Sequence, residues 1–79
     1  MKVLLFARAR DLAGADTINV DLPTGATVAE LRRVLTSSYT KLAALIEHSA
    51  FAVNDEFAEE KTPLFATDVV ALLPPVSGG

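Results

Sequence analysis

Chemistry has few places to reside in this chain. There is one histidine, His48, and no cysteine among 79 residues. The lack of cysteine excludes a disulfide scaffold, a Cys-ligated zinc or iron–sulfur site and a cysteine nucleophile. His48 follows Glu47 at an expected helix end, where an imidazole meets the last carbonyls and the helix dipole. Asp55, Glu56, Glu59 and Glu60 form an acidic cluster able to attract a cation, but four carboxylates on a surface loop are usually just solvated. Ser37, Ser38, Ser49 and Ser77 have no evident base partner, and Gly14, Gly25, Gly78 and Gly79 make no phosphate loop.

The last six residues, Pro74-Pro75-Val76-Ser77-Gly78-Gly79, are the exception. Two glycines fall together at a given place in about half a percent of cases at a glycine frequency of about 7%, so the pair asks for a physical reason. A frayed, flexible end is one. The other begins with Pro74 and Pro75, which stiffen the exit from the preceding strand. In polyproline geometry the six residues reach about 18 Å, at about 3.1 Å each. An arm ending without side chains threads a narrow tunnel, and its backbone approaches another active site closely. Its distinctive group is then the Gly79 carboxylate. A carboxylate is a poor electrophile until another enzyme activates it, for example as an acyl-adenylate. Once activated it accepts sulfide to become a thiocarboxylate, or it acylates an amine. Without a nucleotide-binding loop in this chain, ATP is expected to be used by an activating partner. No cofactor or metal is expected on the chain itself.

Such an arm needs a small body to carry it. The length allows one domain, expected over residues 1–73 with the tail over 74–79. A chain this short buries about 60–65% of its unfolded surface, so some of its 51% hydrophobic residues are left for a partner. The net charge of −3 and the absence of a basic stripe argue against nucleic acid. The runs Val3–Ala7 and Val69–Leu73 are too short to span a bilayer, and Met1-Lys2 opens a poor signal peptide. A cytoplasmic protein is expected.

Lys2–Ala7 reads as a buried strand, Ala9–Ala13 as one helical turn stopped by Gly14, and Thr17–Leu22 as a half-buried strand hairpinned to the first. Pro23–Gly25 is a turn. Thr27 and Glu30 fit a capping box, with the Glu30 side chain reaching the Thr27 backbone N–H, and Val28, Leu31, Val34 and Leu35 form one helical stripe from which Arg32 and Arg33 are excluded. That helix is expected to fray near Thr36-Ser37-Ser38. Lys41–Glu47 reads as a second short helix with Leu42, Leu45 and Ile46 inward, Phe51–Asn54 and Glu56–Ala58 as short strands about an Asn54-Asp55 turn, and Val69–Leu73 as the last strand. Near-continuous apolar strands belong in the middle of a sheet. The first and last strands are therefore expected to be central neighbours in a mixed sheet, with the main helix across one face: an α+β β-grasp roll of the ubiquitin type.

Alternation then defines the other face. With Val3, Leu5 and Ala7 toward the helix, Leu4 and Phe6 point away, as do Ala71 and Leu73. Phe6, Leu73 and Phe57 make a candidate apolar interface, with Arg10 as a candidate rim. The competing reading is a second small core under a loop.

The segments Val3–Gly14, Leu22–Leu31, Ala52–Asn54 and Val70–Gly79 resemble the small subunit of molybdopterin synthase, the MoaD group of the MoaD/ThiS β-grasp sulfur carriers. The resemblance covers essentially the whole chain, and its Pro-Pro-Val-Ser-Gly-Gly ending is closer to that group than to thiazole-pathway carriers. It implies a mechanism in which an E1-like adenylyltransferase of the MoeB type adenylates Gly79. A sulfur donor, such as a cysteine desulfurase system, makes the thiocarboxylate. A large subunit of the MoaE type then accepts the tail, including Gly78 and Gly79, in a heterotetramer. Two such carriers deliver the dithiolene sulfurs to cyclic pyranopterin monophosphate in molybdenum cofactor biosynthesis. The family's catalytic side chains lie on the large subunit. One departure stands out: the family often has Asp-Gly-Asp-Glu before the last strand, where this chain has Ala66-Thr67-Asp68-Val69. Only Asp68 matches, and Thr67 requires a turn that avoids φ > 0. Two other functions use the same features: a ubiquitin-like modifier that acylates lysines through the tail, and a binding module whose tail is inert.

Overall fold

The computed structural model describes residues 1–75. Strand β1 (Lys2–Leu5) leads through helix α1 (Ala7–Ala13) to β2 (Thr17–Asn19). Helix α2 (Val28–Ser38) follows, then a 3-10 turn at Thr40–Leu42 and the short α3 (Ala43–Glu47). Strands β3 (Ala50–Val53), β4 (Glu56–Ala58) and β5 (Val70–Leu73) complete the sheet, whose order is β2-β1-β5-β3-β4. β1 and β5 are parallel, with Leu4 opposite Ala71. The other pairings are antiparallel. A five-stranded mixed sheet with its first and last strands adjacent and α2 across one face is the expected β-grasp roll.

The core lies between that face and the helices. Val3 and Leu5 of β1, Phe51 of β3, and Val70 and Leu72 of β5 are buried against Val28, Leu31 and Leu35 of α2. Leu42, Ile46 and Leu64 close its ends. Each of these large apolar side chains contributes about 1.5–3 kcal/mol by leaving water. Val34 and Leu45, both on expected inward stripes, pack at the margin.

Several boundaries differ from the sequence expectation for local reasons. β1 ends at Leu5, because Ala7 takes φ 52° and begins α1 instead of continuing the strand. Ala7 is thus exposed, and Ala9 takes the buried place. Gly14 does terminate α1, at φ 71°, with its N–H on the Arg10 carbonyl. β2 stops at Asn19, although Val20 is still buried and its N–H bonds to the Met1 carbonyl at 2.8 Å. α2 keeps helical form through Ser38, past the expected fraying point. Its cap is half the expected box: Thr27 Oγ1 accepts the Glu30 N–H at 3.3 Å, but the hydroxyl itself, not the Thr27 backbone, faces the Glu30 carboxylate at 3.4 Å. β3 starts at Ala50 and releases Asn54 to the turn, where Asn54 and Asp55 have φ 51° and 70°.

Candidate functional site

The sheet face opposite α2 is apolar and has no helix packed over it among the described residues. Its composition follows from pleating: the β1 and β5 residues that alternate with the core set must point to this side. Register then lines them up. Leu4 lies opposite Ala71, Ala71 opposite Ala52, and Ala52 opposite Phe57, so one row crosses four strands. The two alanines are small enough to leave a floor. Leu4, Phe6, Phe57, Val69 and Leu73 rise around it to form a concavity of about 270 Å³. Phe57 is 81% exposed, Val69 51% and Phe6 45%. Asp55 is the charged residue among those that line it.

The structure therefore brings together Phe6, Phe57 and Leu73. Arg10 is not among the residues lining the concavity; it sits on α1, exposed, and its carbonyl is used by Gly14. Ala52, Val69 and Asp55 were missed by sequence reasoning. Ala52 was signalled by alternation with Phe51, whereas Val69 was hidden inside a continuous apolar run.

Leu73 is both the last residue of β5 and a wall of the concavity, and the chain leaves it through Pro74 and Pro75. The candidate residues Val76, Ser77, Gly78 and Gly79 lie outside the described residues.

A polar clamp fixes the approach to β5. The Val69 N–H donates to Asn54 Oδ1 at 2.9 Å, and Asn54 N–H to the Val69 carbonyl at 2.8 Å. Asn54 Nδ2 donates to Asp68 Oδ1 at 3.0 Å, while Asp68 Oδ2 accepts the Phe65 N–H at 2.8 Å. The retained acidic residue thus holds the turn, and Thr67 is not among the positive-φ residues, so no glycine is required there.

Arg32 is the polar residue whose role sequence reasoning missed. Its Nη1 donates to the carbonyls of Ile46 at 2.5 Å and Ser49 at 2.7 Å, and its guanidinium lies 4.9 Å from the Phe51 ring centre. The other edge makes a two-pronged pair with Glu60. The helix-end carbonyls expected to meet His48 are thus taken by Arg32, and among the described residues no side-chain hydrogen bond of His48 occurs; His48 is exposed. Hydrogen bonding to Arg32 holds the Glu60 carboxyl below its ordinary 4.5. Glu60 thereby leaves the acidic cluster for a structural pairing. Among the described residues no helix is long and apolar enough to cross a membrane.

Comparison with known proteins gives a consistent picture. The ThiS family matches residues 3–79. The molybdopterin synthase sulfur carrier subunit of Dictyostelium discoideum is 37% identical over 81 residues, covering 99% of this chain and 94% of that protein. Among solved structures, the small archaeal modifier protein 1 of H. volcanii superposes with a TM-score of 0.82 at 30% identity, covering 95% of each chain. A complex of subunits 1 and 2 of the molybdopterin-converting factor from Helicobacter pylori 26695 contains a chain that superposes with a TM-score of 0.70 at 29% identity, covering 99% of this chain and 96% of that one.

Proposed function

The chain belongs to the ThiS family, and on that premise we propose that it is the sulfur-carrier small subunit of a molybdopterin synthase. The full-length similarity to subunits of that name supports the reading. The structural observation that carries it is the double position of Leu73, which walls the apolar concavity and roots the tail. A partner docked on this face holds the start of the tail as well. Ordering six tail residues costs about 6–12 kcal/mol, which two prolines reduce. Apolar area buried beside the root offsets the rest at about 25 cal/mol per Å².

The chemistry falls in three steps. The Gly79 carboxylate attacks the α-phosphate of ATP on an E1-like partner, giving an acyl-adenylate and pyrophosphate. Sulfur from a persulfide-type donor, with the reducing electrons that donor system supplies, displaces AMP and leaves a thiocarboxylate. On the large subunit the thiocarboxylate sulfur bonds to a carbon of the cyclic pyranopterin in place of an oxygen substituent, water cleaves the acyl–sulfur bond of the resulting thioester, and the carrier returns as the carboxylate; a second carrier supplies the second sulfur. Titratable catalytic groups belong to the partners; this chain supplies the docking face and the carried sulfur, and neither binds a cofactor nor contacts nucleic acid or membrane. The neighbour that is a complex of subunits 1 and 2 supports the large-subunit partner. A heterotetramer in the cytoplasm completes the proposal.

The neighbour named as an archaeal modifier protein favours a second reading, transfer of the activated Gly79 carbonyl to lysine amines. Reconstitution with the activating enzyme, a sulfur source, the large subunit and the cyclic precursor tests the first. Dithiolene product that depends on this chain is expected; activation of Gly79 with no product in the complete mixture contradicts it.

A further inference from the structure

Ala7 holds a backbone conformation that its residue type disfavours. Its φ of 52° lies in the left-handed region, where the Cβ of an L residue crowds the following carbonyl. The side chain gives no reason for this, since it is exposed and outside the core. Such a residue is held by its surroundings. Before it, Leu5 is buried and its N–H bonds to the Asp16 carbonyl at 2.7 Å. After it, Ala9 is buried, and the Phe6 carbonyl accepts the N–H groups of Ala9 at 3.2 Å and Arg10 at 3.4 Å.

The consequence is directional. Phe6 is still extended, at φ −129° and ψ 158°. A further strand residue would share the face of Val3 and Leu5. The left-handed step ends the strand instead and sends α1 to the core side, where Ala9 is buried. Among the described residues no helix covers the opposite face, and Phe6 lines the concavity there.

We propose that Ala7 is a positioning residue, whose left-handed backbone turns α1 away from the apolar concavity and leaves the Phe6 ring standing there for the large subunit. Its binding consequence rests on the docking reading above; its geometric part does not. Glycine accepts φ > 0 freely, a D-alanine prefers it, and a β-branched valine resists it.

The test compares Ala7→Gly, Ala7→Val and a synthetic chain with D-alanine at position 7. NMR of the free protein reads whether the Phe6 ring lies close to the methyls of Leu4 and Ala71, which line the same concavity; such ring–methyl contacts are the expected signature. Titration with the large subunit reads affinity. Ala7→Gly and the D-alanine chain are expected to keep those contacts and bind within about twofold of the unaltered protein. Ala7→Val is expected to lose them and bind about tenfold more weakly, and adding Phe6→Ala to it costs no more than Phe6→Ala alone. Ring contacts retained in Ala7→Val, or lost in the D-alanine chain, overturn the proposal; if the valine variant does not fold, the D-alanine chain decides alone. If the ring follows φ at position 7 as stated but Phe6→Ala binds normally, the role of Ala7 stands and the docking reading falls.

Discussion

Arg32 and Glu60, 28 residues apart in sequence, face each other through two parallel hydrogen bonds, Nε to Oε1 at 2.9 Å and Nη2 to Oε2 at 2.7 Å. The pair is unequal. Glu60 keeps 56% of its side chain in solvent, while Arg32 also ties α2 to the end of α3 and to the residue before β3.

That inequality predicts different costs. Arg32→Ala removes the side-chain donor from the Ile46, Glu47 and Ser49 carbonyls, of which Ile46 keeps the Ser49 N–H, and uncovers Phe51; it is expected to cost about 2 kcal/mol. Glu60→Gln removes a largely exposed ion pair worth about 0–1 kcal/mol. Because the Glu60 pKa is lowered in the folded state, its contribution is full above 4.5, its ordinary value, and is lost as pH falls through the lower folded value. Urea unfolding at pH 7 and in acid checks this: the gap between the native chain and Glu60→Gln should close in acid. A gap that widens contradicts the pairing.

The Asn54-Asp55 turn carries positive φ at both central residues, the pattern that favours Asn-Gly in a two-residue hairpin. Asp55→Gly is therefore expected to stabilise the fold by up to about 1 kcal/mol, read as a raised unfolding midpoint. Asn54→Ala is expected to destabilise it by about 1–2 kcal/mol, since Val69 N–H and Asp68 lose their partner together.

The proposed docking face predicts a separation of folding from binding. Phe57→Asp and Leu73→Asp should leave the circular dichroism spectrum intact and weaken large-subunit binding about thirtyfold, the effect of losing an interface anchor. Phe57, at 81% exposure, is the safer variant for the fold. If Leu73→Asp merely unfolds the protein, Leu73 acts as core.

The period-two pattern of β1 and β5 was enough to identify the sheet face, because alternating burial is a local property of strands. Arg32 was not legible: its partners Ile46, Ser49 and Glu60 are brought to it only by tertiary packing, and by helical periodicity it was one more off-stripe charge. Ala7 failed for a related reason. As an alanine after an apolar run it fits a strand, and only the burial of Ala9 on the core side demands the left-handed step. Arg10, read as a rim by its place in the chain, is exposed on α1 and is not among the residues that line the concavity.

Deleting Gly79, or adding one residue after it, should abolish sulfur transfer while leaving fold and docking unchanged. One residue displaces an extended terminus by about 3.3 Å, and about 1 Å of misplacement can already cost a hundredfold in rate. Gly78→Val is expected to fail also, because the proposal requires the tail to enter a partner site by its backbone, where a β-branched side chain would clash. Docking affinity and product formation, measured side by side, distinguish this from loss of binding.

The most direct test is the intact mass of the protein isolated from cells, or of the purified chain after incubation with its activating enzyme, ATP and a sulfur source. A species heavier by the difference between one sulfur and one oxygen, absent when Gly79 is deleted, is the predicted result. Lysine-linked conjugates through Gly79, with no sulfur-for-oxygen exchange, would contradict the sulfur-carrier account.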